Sequence, residues 1–129
     1  MTEPRWITRE LASAMHRAQL RAHGGRWGIR DENLLESALA RPQQPHAYEP
    51  DAGLFELAAA YAFGIARNHP FVDGNKRTAF TAMGVFLLAN GYLLEVPEPE
   101  AVLTMLAVAA GRIEEPELAA WCRAHCEAA

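Results

Sequence analysis

The amino-acid sequence predicts an all-α fold, a compact bundle of about six helices in which a short polar loop joins two central buried ones. Two runs carry the prediction. Residues 54–66 are apolar nearly all round, with Glu56 the only charged side chain, and residues 78–89 contain no charge, as expected of helices enclosed by others. The third observation is negative: no run alternates with the period-two pattern of a half-buried strand.

At 129 residues, half of them apolar, the chain is read as one domain spanning 1–129, long enough to close a core without staples. Thr8 is positioned to cap a first helix whose apolar stripe is expected at Leu11, Ala14, Met15 and Ala18, ending near Gly24-Gly25. After a connection through Trp27, Gly28 and Ile29, Asp31 reads as the N-cap of a short helix burying Leu34, Leu35, Ala38 and Leu39, and Pro42 stops it. Residues 42–53 hold three prolines, two glutamines, His46 and Tyr48, a composition for an exposed connection.

The two central helices follow, and Gly64 and Gly84 inside them point to close helix approach, because glycine in a helix interior otherwise only costs stability. Asn90-Gly91 ends the second, Tyr92 to Val96 is short and extended, and Ala101 to Ala110 reads as another helix stopped by Gly111. Pro116 suits the first turn of a last helix with Leu118, Trp121, Cys122 and His125 on one face. Cys122, His125 and Cys126 lack a fourth ligand and a second cysteine pair, so core packing is preferred to a metal site, and both thiols are expected reduced.

Net charge is −4 and uneven: residues 1–41 carry seven Arg against five acids, and residues 91–129 two Arg against seven acids. An acidic chain argues against direct nucleic-acid binding. The acidic C-terminal third reads as a solvated face, with a partner site as the alternative. No apolar run reaches the roughly 18 residues of a membrane span, and the polar start does not look like a secretory signal, so a soluble cytoplasmic protein is expected.

The loop between the central helices, His69-Pro70-Phe71-Val72-Asp73-Gly74-Asn75-Lys76-Arg77, concentrates the chemistry. Asp73-Gly74 is a turn that opens onto a helix N-terminus, where unpaired N–H groups and the macrodipole favour an anion, so Gly74 to Arg77 form a candidate phosphate cradle. Arg77 offers a forked cation, Lys76 a point charge and Asn75 a neutral donor. Lys76 is the only lysine of the chain. Asp73 is the carboxylate available to Mg²⁺, which takes one or two carboxylates and completes its shell with phosphate and water. His69, neutral at pH 7 when unperturbed, is the candidate general base, and Phe71 is expected to anchor the loop in the core.

This run resembles the signature of the Fic/Doc family, and its lysine variant looks like the death-on-curing (Doc) branch, the toxin half of toxin–antitoxin pairs. The resemblance extends to Gly24-Gly25 and to residues 28–43. Members that transfer nucleotides usually have glycine where Lys76 stands and a second arginine where Phe80 stands, and both differences weaken an AMP-transfer reading. The resemblance implies instead a protein kinase that moves the γ-phosphate of ATP onto a Ser/Thr hydroxyl with Mg²⁺. Catalysis would fall to His69, Lys76 and Arg77, nucleotide binding to Gly74, Asn75, Lys76 and Arg77, and the metal to Asp73. Elongation factor Tu is the implied target, with translation inhibited. A cognate antitoxin is expected in trans, because no Ser/Thr-x-x-x-Glu-Gly/Asn helix is found. Residues 42–53 would correspond to a peptide-docking flap, an ordinary surface loop being the alternative. Transfer of AMP and a catalytically silent binding module remain open.

Overall fold

A computed structural model describes residues 3–44 and 53–129. Among them the expected all-α architecture is present: α1 (Arg9–His23), α2 (Glu32–Ala40), α3 (Leu54–Asn68), α4 (Asn75–Ala89), α5 (Glu98–Ala109) and α6 (Glu115–Ala124). A small antiparallel ribbon pairs β1 (Tyr92–Leu94) with β2 (Cys126–Ala128), Leu93 opposite Glu127. Most of the proposed flap, residues 45–52, lies outside the described residues.

Local chemistry sets the helix ends. Thr8 Oγ1 accepts from Leu11 N–H at 3.1 Å and Asp31 Oδ1 from Leu34 N–H at 3.0 Å, satisfying donors that have no partner within the helix. Glu114 and Glu117 form a capping box at the start of α6, whose first turn also holds Pro116. Gly24, at φ 79°, ends α1 in a conformation that a side chain would resist.

α3 is the central element, packed against α2, α4 and α6, and its residues from Leu57 to Ala62 are consecutively buried, so no face is left to solvent there. α4 differs from expectation. It buries Asn75, Thr78, Ala79, Ala82, Met83, Phe86 and Leu87, a stripe at three- and four-residue spacing, while Leu88 is 55% exposed. It is one-sided because α1, α3, α5 and β1 cover it unevenly. Gly64 fulfils the close-approach expectation, since a Cβ there would lie 3.2 Å from Ala38 Cα in α2. Gly84 does not: a Cβ would meet only Leu94 Cδ2, at 4.0 Å.

Two further expectations are corrected. α1 buries Ala12, Met15 and His16, whereas Leu11, Ala14 and Ala18 are exposed, so the helix is rotated from the predicted stripe towards a face carrying a histidine. The last helix stops at Ala124: His125 is its C-cap, and Cys126 enters the ribbon rather than extending the helix face.

The N-terminal segment is fastened to the core by side chains. Ile7 N–H donates to the buried Tyr61 hydroxyl at 2.9 Å. Asn90, C-cap of α4, accepts from Arg5 N–H at 2.8 Å through Oδ1 and donates through Nδ2 to Arg5 O at 3.1 Å and Phe86 O at 2.8 Å.

Candidate active site

The polar loop joins the C-terminus of α3 to the N-terminus of α4. His69 ends α3 with φ 50°, the one non-glycine residue with positive φ among those described. That conformation costs on the order of 1–3 kcal/mol for a residue with a Cβ and persists only where its surroundings enforce it. Arg30 supplies part of the enforcement. Its guanidinium donates from Nε to His69 O at 2.7 Å and from Nη2 to Asn68 O at 2.8 Å, capping the exposed carbonyls at the end of α3. The segment carrying Arg30 is held in turn by the loop: Pro70 O accepts from Arg30 N–H at 2.7 Å, and Val72 N–H donates to Gly28 O at 3.0 Å, around a bridge between Ile29 and Phe71. Gly28, at φ 147°, lets the two strands approach, because a Cβ would stand 3.1 Å from Val72 Cγ2.

Phe71 is fully buried and anchors the loop as expected. Asn75 anchors it from the other side. Phe71 N–H donates to Asn75 Oδ1 and Asn75 Nδ2 donates to Phe71 O, both at 2.9 Å, so the amide closes the turn as a strand partner would. The neutral side-chain donor expected to face a phosphate is therefore turned inward, and Asn75 presents outward only its backbone N–H.

Gly74, at φ 77°, is the N-cap of α4, and no side chain caps that helix. The first N–H groups, from Asn75 to Arg77, thus lie unpaired at the positive end of the macrodipole, the arrangement that receives an anion. Lys76 has no ion-pair partner among the described residues, and Arg77 has only Glu98 at 3.8 Å. His69 is exposed, and its ring has no hydrogen-bond partner among the described residues. Its pKa lies below the ordinary 6.5, first through desolvation and then through the positive charges of Lys76 and Arg30. The ring is accordingly neutral at pH 7, with a lone pair to accept a proton.

Asp73 is partly exposed, and its Oδ2 accepts from Arg26 N–H at 2.8 Å. One carboxylate oxygen is oriented by this bond and the other is left for a ligand. Gly25, beside this carboxylate, takes φ 121°, and a Cβ there would stand 2.9 Å from Leu20 Cδ2. Among the described residues no three His, Cys, Asp or Glu side chains cluster as a metal cage. A lone carboxylate beside a phosphate cradle fits Mg²⁺ that takes its remaining ligands from phosphate and water.

Besides the brace from Arg30, a second supporting residue of this neighbourhood escaped the sequence reading. His16 of α1 is fully buried, stacks on Phe71 with ring centroids 3.9 Å apart and planes 14° from parallel, and donates from Nε2 to Asp73 O at 2.8 Å. Burial lowers its pKa, so it too is neutral. The available signal was the i, i+3, i+4 spacing of Ala12, Met15 and His16, masked by the polarity of the last.

A cavity of about 390 Å³ opens beside Lys76 and Arg77, rather than over His69 and Asp73. Its far wall is apolar, with Phe80, Val102, Met105 and Leu106 among the lining side chains. Among the described residues no helix is long and apolar enough to cross a membrane.

Comparison with known proteins agrees with the loop. The chain is 36% identical over 115 residues to "Protein kinase doc" of Escherichia phage P1, covering 89% of this chain and 90% of that one. It is 49% identical over 75 residues to "Toxin Doc" of Mycolicibacterium smegmatis, covering 57% of each. The model of the Fic/DOC family matches residues 6–87, which take in α1, the Gly28–Arg30 brace, the loop and most of α4; with the phage relative aligned over nearly its whole length, the chain belongs to the Fic/DOC family.

Proposed function

We propose that this protein is the toxin of a toxin–antitoxin pair and acts as a protein kinase, transferring the γ-phosphate of ATP to a Ser or Thr hydroxyl of a target protein. The observation that carries the reading is Lys76. It is the only lysine of the chain, it stands in the first turn of an uncapped helix, and its charge reaches His69. The name of the phage relative, a protein kinase, supports the same chemistry.

The phosphates would be held by the N–H groups from Gly74 to Arg77 together with the Lys76 and Arg77 cations, and Asp73 would hold Mg²⁺. When bound, the metal offsets the negative charge of the phosphates. The target hydroxyl oxygen bonds to the γ-phosphorus while the bond from that phosphorus to the bridging oxygen breaks and ADP departs. The hydroxyl proton passes to an unpaired ring nitrogen of His69. Phosphoryl transfer depends chiefly on positioning and charge stabilisation, so a base locked by Arg30 and cations fixed on a helix end are suited to it.

Lysine in place of glycine fills the space beside the base and adds localised charge there, which favours the γ-phosphate over the α-phosphate at the reaction centre. The family resemblance directs the search for the target to elongation factor Tu, in the cytoplasm. The apolar cavity beside Arg77 offers a seat for a segment of an antitoxin that folds on binding, in keeping with the relative named as a toxin. The test is transfer from labelled ATP to purified elongation factor Tu and to a cell lysate. The γ-label should appear on a protein and the α-label should not. Transfer of the α-label alone would replace the kinase by a nucleotidyl transferase, and binding without transfer would leave a silent module.

A further inference from the structure

We infer that His16 is a positioning residue for the loop, fixing through the Asp73 carbonyl where the Asp73 carboxylate stands; the inference rests on the reading of Asp73 as the magnesium ligand. A backbone carbonyl can only accept, so the 2.8 Å contact requires the hydrogen on Nε2. The ring is then the Nε2–H tautomer. Its Nδ1, buried and without a partner in the structure, carries the lone pair. Here the satisfied nitrogen is the one aimed at the loop.

The ring is held firmly enough to transmit position. It lies flat on Phe71, and the Trp27 ring is 5.3 Å away on a tilted plane. Phe71 is the residue whose backbone Asn75 clamps, and Arg26, the neighbour of Trp27, binds the Asp73 carboxylate. Asp73 is thereby fixed at two points, its carbonyl from α1 and its Oδ2 from Arg26 N–H. With both bonds present the peptide plane and the carboxylate are set together. Without the first, the turn at Asp73-Gly74 can rotate its peptide and carry the carboxylate away from the cradle.

The experiment compares His16→Gln, whose Nε2 can replace the donor, with His16→Phe, which keeps a stacked ring and has none. For each folded variant, the Mg²⁺ dependence of γ-phosphate transfer and the amide resonance of Arg26, which reports the carboxylate bond, are measured. In His16→Phe the Mg²⁺ requirement should rise by about tenfold or more, the effect expected of a lost supporting hydrogen bond, and the Arg26 resonance should move towards that of a free amide. His16→Gln should restore both to within a few-fold of the parent. Equal impairment of the two variants, or a His16→Phe protein with the parent's Arg26 resonance and Mg²⁺ requirement, would overturn the proposal. A ¹⁵N spectrum of the parent showing the hydrogen on Nδ1 would overturn it without any variant. Should the parent transfer no γ-phosphate, the kinase reading fails, and the Arg26 resonance still decides the role of His16.

Discussion

Two places in this molecule gather reactive side chains, and they treat them oppositely. At the end of α6, Cys122 donates to Met83 Sδ at 3.0 Å and burial pushes its thiol up to about 12. His125 donates from Nδ1 to Trp121 O at 2.8 Å and faces Glu100 with Nε2 at 3.1 Å. The Cys122 thiol and both nitrogens of His125 are thus engaged by the protein itself. In the loop between α3 and α4, the supporting side chains His16, Arg30 and Asn75 are engaged, and their bonds hold the backbone. The His69 ring and the Lys76 ammonium are left without hydrogen-bond or ion-pair partners among the described residues. Reactive residue types make a site where the fold fixes the backbone and leaves the side-chain groups open.

The largest expected effect tests that contrast directly. His69→Ala should lower transfer by on the order of 10²–10⁴ while leaving nucleotide binding nearly intact, because a base acts on the attacking hydroxyl. His125→Ala, from the other cluster, should leave the transfer rate within about twofold. Steady-state rates and nucleotide titrations on both proteins check this, and comparable losses in the two would break the comparison.

Next in size is the clamp. Asn75→Ala leaves the Phe71 N–H and C=O unpaired in a buried place, which should lower stability by on the order of 2–4 kcal/mol. Denaturant melts of parent and variant measure it. A cost near zero would mean that water can enter and that the loop is less enclosed than its burial indicates.

The smallest effect is in pH. His69 has a folded pKa below its ordinary 6.5, so the unfolded chain takes up the proton first as pH falls. The contribution to stability is therefore present above about pH 6.5 and lost as pH drops through the folded value. Activity that needs the neutral ring should follow the folded value, surviving where an ordinary histidine has already charged. An NMR titration of the His69 ring should give a midpoint under 6.5, moving upward in Lys76→Met as the repelling charge is removed. A midpoint at or above 6.5 in the parent would break the comparison here, since neither desolvation nor the two cations would then be acting on the ring.

Much of this was legible in the sequence, for reasons that differ by element. α3 announced itself because burial on every side leaves a continuous apolar run, and α4 began where Asp73-Gly74 required a turn. The N-caps Thr8 and Asp31 were readable because a cap acts on its own next residues. The face of α1 was not readable: burial of His16 depends on a hydrogen bond to a carbonyl 57 positions away, which no local period records. The same holds for Arg30, whose task is set by the end of another helix, and for the inward turn of the Asn75 side chain. β2 was missed because three residues carry no period. Gly84 misled because a glycine inside a helix need not mark a close approach.

The clamp at the far end of α4 has a consequence in chemical ageing. Asn90 is followed by Gly91, the pair in which a side-chain amide is most readily lost, since the next backbone nitrogen can attack it with no Cβ in the way. Here the folded chain opposes that attack. The Asn90 amide is tied to Arg5 and Phe86, and Gly91 N–H is directed to Leu88 O at 3.3 Å. If the amide were lost, an oxygen would replace the Nδ2 donor and face two carbonyl oxygens, Arg5 O and Phe86 O, acceptor against acceptor. The N-terminal segment would lose its fastening at that point. The bonds that hold this segment in place therefore also slow the reaction that would release it.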